Sequence, residues 1–190
     1  AADPNFGKVR EPLIRMANWA RAFGATSTSG DFLIPSTSAN TSLGQSALTA
    51  NSVFNFYRPG YSPPNTRIGN AGLLAPEFQI VDEVTVAGYL NTMQTTIDTG
   101  IGATAAGARD VRSSYAAETR IADDPNGLVD RMNLLLMNGR MSATTRSRIV
   151  EAVSAVSLPA SGPTRTTALT NRAKLAAFMT MASPEYLVQR

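Results

Sequence analysis

Apolar residues fall at helical intervals near both ends of the chain and lose that rhythm between them. Val9, Leu13, Met16, Ala20 and Phe23 follow one another at steps of three and four, which places them on one helical stripe. Pro12 sits in the first turn, where its missing N–H is tolerated, and Gly24 supplies the stop. Ile14 and Trp19 flank the stripe, so this first helix is expected to be well buried. A second helix is predicted from Asp82 as N-cap through Val86, Leu90, Met93 and Ile97, ending at Thr99-Gly100-Ile101-Gly102. Asp123-Asp124-Pro125-Asn126-Gly127 reads as a turn feeding a third helix with Leu128, Met132, Leu135 and Leu136, stopped by Asn138-Gly139. Ser142 is placed to cap a fourth helix bearing Ile149, Val153 and Val156, with Pro159 beyond its end. Ser161-Gly162-Pro163-Thr164 opens a fifth, whose apolar faces run through Leu169, Ala173, Ala176 and Met179 or through Leu175, Phe178 and Ala182. Pro184 forces a break or a new first turn before Tyr186 and Leu187.

Residues 25–80 behave differently. Ser, Thr, Asn, Gly and Pro dominate, yet large apolar groups such as Phe32, Leu33, Phe54, Phe56, Leu73 and Phe78 are scattered through them. An ordered arm with short helical turns, wrapped over a helical body, is the expectation, with Ser46 to Asn51 as one short helix. Residues 100–122 are Ala/Gly-rich and compatible with a short strand or extended segment. No sustained period-two alternation occurs. The class is therefore mainly α: a helical bundle of about five helices with a long ordered irregular arm over residues 25–80, all in one domain.

Composition narrows the chemistry more than the fold. The chain of 190 residues holds no His and no Cys, which removes His-based triads, Cys/His zinc sites, haem attachment and disulfides from this segment. A general base near neutral pH would have to be a perturbed carboxylate, a lysine or the amino terminus. Seventeen basic residues against fourteen acidic give +3, too little for a nucleic-acid footprint. No run approaches the ~20 apolar residues that span a bilayer. Ala1-Ala2-Asp3-Pro4 lacks the basic and apolar regions of a signal peptide, and the helical pattern starts almost at once. A piece of a longer protein is the expectation.

Candidate sites are few. Phe54-Asn55-Phe56-Tyr57-Arg58-Pro59-Gly60-Tyr61 is the densest feature, with three aromatic residues in four positions beside a planar cation. Aromatic faces and a guanidinium stack on sugars, bases or peptides. The structural alternative is that Phe54 and Phe56 anchor the arm in the core and leave Asn55 and Tyr57 at its edge. Asp123, Asp124, Asn126 and Asp130 offer the oxygen chemistry that calcium takes, but the spacing is not that of an EF-hand and no bidentate Glu follows; acidic residues complementing a helix N-terminus are the simpler reading, and no metal is expected. Asp82-Glu83, with Glu77 nearby, could pair carboxylates, but adjacent helical residues do not face each other and capping accounts for Asp82. Gly100, Gly102 and Gly107 form a dinucleotide-like pattern with the wrong third spacing and a helix where a strand should precede. No cofactor is expected.

At the aromatic cluster the chain resembles a known family. Leu43-Gly44-Gln45-Ser46 and Ser52 through Tyr61 with Pro63-Pro64 look like the C-terminal part of bacterial proteins in domain-of-unknown-function family 1800. So do Val9-Arg10-Glu11-Pro12 with Arg21-Ala22-Phe23, Leu74-Ala75-Pro76-Glu77-Phe78-Gln79, and Ala182-Ser183-Pro184-Glu185-Tyr186-Leu187-Val188-Gln189. The resemblance implies a largely helical, exported protein, periplasmic or extracellular, of several hundred residues. It implies as partner the upstream part of the same protein or another exported protein. It carries over no catalytic residue. Two functions of different class follow. One is a non-enzymatic helical scaffold and binding module. The other is part of an extracellular hydrolase acting on a polymer, its reactive groups mostly upstream, with Tyr57, Arg58, Tyr61 and Glu77 contributing to binding.

Overall fold

The structure, a computed structural model, describes residues 7–105 and 107–189. In chain order it holds β1 (Lys8–Val9), α1 (Pro12–Ala22), β2 (Thr26–Ser27), α2 (Arg67–Asn70), a 3₁₀ turn (Pro76–Gln79) and α3 (Glu83–Thr99). Then come β3 (Ile101–Ala105), β4 (Ala108–Arg112), α4 (Ala116–Thr119), α5 (Pro125–Met137), α6 (Ala143–Ala155), α7 (Pro163–Ala182), α8 (Pro184–Leu187) and β5 (Val188–Gln189). The protein is mainly α. Its described residues group into two compact units. The first takes the described residues up to Ala17, Pro35–Gln94 and those from Val188; the second takes Asn18–Ile34 and Thr95–Leu187.

Helix starts follow the capping residues. Asp82 Oδ1 accepts from the Thr85 N–H at 2.8 Å, while Thr85 Oγ1 accepts from the Asp82 N–H at 2.8 Å, so two otherwise idle donors are satisfied at the head of α3. Asp124 accepts from the Asn126 N–H before α5, and Ser142 from the Thr145 N–H before α6. Asn138 and Gly139 end α5 with positive φ, as their position in the sequence predicts. Pro184 starts a new helical turn rather than a simple break.

In the first unit Leu43, Tyr89 and Met93 are buried, together with Arg15, whose guanidinium lies 4.6 Å from the centroid of the Tyr89 ring. Gly88 lets residues 40–42 cross α3 closely: a Cβ there would lie 2.4 Å from the Asn40 carbonyl oxygen and 2.7 Å from that of Ser42. β1 and β5 pair antiparallel, Val9 opposite Val188. Val9 therefore lies in a strand, not on the first helical stripe. Ile14 is half exposed. It points off the buried stripe, and only Trp19 of the two flanking residues is buried.

In the second unit α5, α6 and α7 pack on one another and α4 packs on α7. The buried face of α7 is Ala168, Arg172, Ala173, Ala176, Ala177, Thr180 and Met181. Leu169 and Met179 are only half buried. The seam runs through small residues and two polar ones because those polar groups find partners: Thr180 Oγ1 donates to Ala176 O at 2.8 Å, and Arg172 bonds three carbonyls. The extended segment anticipated after residue 100 is an antiparallel hairpin, β3–β4, with β2 on its other edge and a register shift between Ile101 and Thr104. That irregularity and the shortness of the strands hide the alternation. Gly107 closes the hairpin, Gly100 follows the end of α3 and Gly102 lies within β3, all three at positive φ; Ala106 in the same run lies outside the described residues.

The 25–80 region contains β2, α2 and the 3₁₀ turn, in keeping with an arm of short elements. The helix expected over Ser46–Asn51 is absent: these residues form turns, with Leu48 at φ +59° and fully exposed. Several apolar groups of the region face outward instead of covering a helical body, among them Phe32, Leu33, Phe54, Leu73 and Leu74.

Asp110 on β4 organises the start of that region. Its carboxylate accepts from the Ser29 N–H at 2.7 Å, the Leu33 N–H at 2.8 Å and the Ser27 hydroxyl at 2.9 Å. The Ser29 amide above all, against the opposing pull of burial, and then Leu33 and Ser27 hold its pKa at about 2 instead of 3.8. A depressed carboxyl pKa stabilises the fold above the unfolded value and loses that contribution as pH falls toward the folded one. Thermal melts between pH 5 and pH 2 should therefore show stability falling from about pH 3.8 downward. Asp110→Asn should flatten that part of the profile; an unchanged profile would remove Asp110 from this role.

Candidate functional site

The sequence-singled cluster at residues 54–61 folds onto Glu11, the residue before Pro12 at the head of α1. Glu11 Oε2 accepts from Gln45 Nε2 at 2.5 Å and Asn55 Nδ2 at 3.0 Å; Oε1 accepts from the Tyr57 hydroxyl at 2.9 Å. Gln45 is itself fixed, its Oε1 accepting from the Leu13 N–H at 3.1 Å. Burial would push the Glu11 carboxyl upward, but the bonds from Gln45, Asn55 and Tyr57 outweigh it and the group lies below its ordinary value. The Tyr57 hydroxyl is raised, first by burial, with the Glu11 carboxylate adding to the effect.

This clamp departs from the arrangement in which Phe54 and Phe56 anchor the arm: Phe54 is exposed, and Phe56 is half buried like Asn55 and Tyr57. Phe54 is 60% exposed, whereas Asn55 and Tyr57 turn inward to the carboxylate. Asn55 reverses the chain at φ +72°, a left-handed conformation asparagine tolerates. Three charge-assisted bonds to one carboxylate outweigh the burial of one phenylalanine ring.

The result is a groove of about 290 Å³. Phe54, Phe56, Tyr57 and Arg58 line it, with Asn51, Ser52, Asn55 and Gln79. Gln79 Oε1 accepts from the Arg58 N–H at 2.8 Å and ties the far wall to the 3₁₀ turn. The Arg58 side chain is exposed and forms no ion pair among the described residues. Such a groove offers stacking, amide donors and acceptors, and one cation. Its lining holds no carboxylate, lysine or imidazole.

Of the residues singled out for ligand binding, Tyr57 and Arg58 meet in this groove. Tyr61 and Glu77 do not line it. Tyr61 is half buried, its carbonyl accepting from the Ala75 N–H at 2.9 Å. Glu77 is buried and lies 3.3 Å from Lys8 Nζ, a bond that raises the lysine's pKa. Asp82 caps α3, and Glu83 is its first helical residue. The candidate calcium oxygens are engaged elsewhere: Asp124 caps α5, and Arg146 bonds both Asp130 oxygens, at 2.7 and 3.0 Å, and Asn126 Oδ1 at 3.1 Å. Asp123 has no part in that network. Among the described residues no cluster of three or more acidic groups has metal-binding geometry. Glu11, Gln45 and Gln79 stand out in the sequence only as members of the family-like stretches Val9–Pro12, Leu43–Ser46 and Leu74–Gln79, with no role attached; Asn55 beside three aromatics adds the signal of a residue suited to positive φ.

Glu11→Ala should release Gln45, Asn55 and Tyr57 together. Each bond to an ionised group is worth about 1.5–3 kcal/mol. Amide hydrogen exchange over residues 45–57 is expected to speed up at least about tenfold, with α5–α7 unaffected; equal protection in the variant would contradict the clamp.

The fold and groove define a class first: a mainly helical protein with an open groove lined by aromatic side chains and an arginine, with no acidic residue or lysine among the groove's described lining residues. The chain matches, over residues 1–188, the family described as Protein of unknown function (DUF1800), and it belongs to that family. Nothing matches among curated proteins or among solved structures. Among the described residues no helix is long and apolar enough to cross a membrane.

Proposed function

We propose that the chain is a non-enzymatic binding module: its helices are scaffold, and the groove around Phe54 and Arg58 is the surface that holds a partner protein. The partner is the upstream part of the same protein or another exported protein, in the periplasmic or extracellular setting that the family resemblance implies. The carrying observation is the outward Phe54 on a carboxylate-anchored loop. A large aromatic displayed beside an unpaired arginine is the composition that dominates binding energy in protein interfaces. Leu48 and Val53, both almost wholly exposed on the same loop, extend the apolar surface.

The hydrolase reading gains from Tyr57 and Arg58 lining an open groove, but it would need a base there. Glu11, the carboxylate bonded to Asn55 and Tyr57 of the groove's lining, already accepts from three donors and is lowered in pKa, which makes it a poor proton acceptor.

A photo-crosslinking residue placed at position 54 in the natural host tests the proposal. It should yield one dominant covalent adduct with a protein. The same residue at Leu134, an exposed apolar position in the second unit, should yield none. Equal labelling from both positions, or none from 54, would overturn it.

A further inference from the structure

The second unit carries a larger groove, of about 660 Å³, within the range of ligand pockets. It is built from the end of α3, the β3–β4 hairpin, the segment after it and α7. Arg109, Arg112 and Lys174 line it, and Asp98 is the one carboxylate among its lining residues. Asp98 is already committed: Lys174 Nζ donates to its Oδ1 at 2.9 Å and to its backbone carbonyl at 2.7 Å. That leaves the two arginines. Arg109 Nη1 donates to Gly102 O at 3.1 Å, which steers the guanidinium and leaves its other donors open. Arg112 is exposed and enters no ion pair among the described residues. Gly100, at φ +92°, makes room for it: a Cβ there would lie 2.4 Å from Arg112 Cγ and 2.5 Å from Val111 O.

The rest of the lining selects among anions. Thr104 and Ser114 line the same space, with Gly107 and Ala108. Its large apolar members, Ile97 and Tyr115, are both buried, and the Tyr115 hydroxyl accepts from Trp19 Nε1. No exposed ring is left to stack a base, and no apolar anchor is left for a peptide or a lipid chain. Two planar cations suited to bidentate capture of an acid group, set among hydroxyls, fit a ligand that is itself hydroxylated and acidic.

We infer that this groove binds an acidic saccharide: its carboxylate or sulfate lies against Arg109 and Arg112, and its ring hydroxyls against Thr104 and Ser114. The site is independent of the partner surface at Phe54.

Calorimetric titration of the whole chain at low salt tests it, with tetragalacturonate, a sulfated tetrasaccharide, neutral maltotetraose and inorganic sulfate as probes. An acidic oligosaccharide should bind at least about tenfold more tightly than maltotetraose or sulfate, and which one binds best identifies the acid group. Arg109→Gln with Arg112→Gln should weaken that binding at least about tenfold without changing the melting temperature. Thr104→Val should weaken it less, and Phe54→Ser not at all. Binding unchanged in the arginine variant, equal binding of maltotetraose or of plain sulfate, or no binding of either acidic oligosaccharide would overturn the inference. A failed crosslink at position 54 would leave it standing.

Discussion

Trp19→Ala should lower the unfolding free energy of the second unit by about 3–5 kcal/mol, the range for removing a large buried aromatic side chain. Trp19 is 1% exposed, and its Nε1–H donates to the Tyr115 hydroxyl at 2.6 Å. Tyr115 in turn stacks obliquely on Phe23, ring centroids 5.1 Å apart. Burial pushes the Tyr115 hydroxyl far up, so it stays protonated. Tyr115 also holds φ +50°, a conformation costly for a bulky residue, at the point where the chain enters α4. One indole thus joins α1 to the segment between β4 and α4. Tyr115→Phe separates the hydrogen bond from the packing: it strands the indole N–H and should cost about 1–3 kcal/mol. Denaturant unfolding followed by circular dichroism measures both. Losses below about 1 kcal/mol in each would contradict this picture of the core.

Arg172→Leu should cost about 3 kcal/mol or more, although leucine fits the apolar surroundings. Arg172 is 7% exposed and donates to Val156 O at 2.7 and 3.1 Å, Ser154 O at 3.3 Å and Ala122 O at 3.2 Å. These carbonyls close the end of α6 and the turn before α5, and bonds to a charged donor are worth about 1.5–3 kcal/mol each. Burial lowers the guanidinium's pKa, with Arg165 adding to the effect, yet an arginine stays charged at any working pH. Arg172→Lys should recover only a minor part, because a single ammonium cannot span three carbonyls. Full recovery in the lysine variant would show that charge alone, not the planar fork, is what the site uses.

The helices were legible because their signals are local. Asp82, Asp124 and Ser142 act as caps where their spacing predicts, and α1, α3, α5, α6 and α7 form where helices are anticipated, but the buried faces differ in part: Val86 of the α3 stripe is exposed, and α7 buries Ala168, Arg172, Thr180 and Met181 in place of Leu169 and Met179. Interactions across long stretches of chain were not. Glu11 meets Tyr57 across 46 positions and Gln45 across 34, and the family-like stretch that contains Glu11 does not say what it holds. That distant carboxylate draws Asn55 and Tyr57 inward, and Phe54 is left exposed. Arg172 was hidden for a related reason: an arginine reads as a break in an apolar face until the carbonyls it satisfies are in view. The aromatic cluster was found as the candidate site, and Tyr57 and Arg58 belong to its groove. Tyr61 and Glu77 share the sequence neighbourhood but serve the packing beside it.

The central claim is that this chain works by holding a partner through the Phe54 surface. Native mass spectrometry of the intact protein isolated from its natural host tests it most directly. The protein should appear in a complex of defined stoichiometry, and Phe54→Ser with Arg58→Ser should release it while the melting temperature holds. A free monomer in the natural protein, or a complex indifferent to both substitutions, would contradict it.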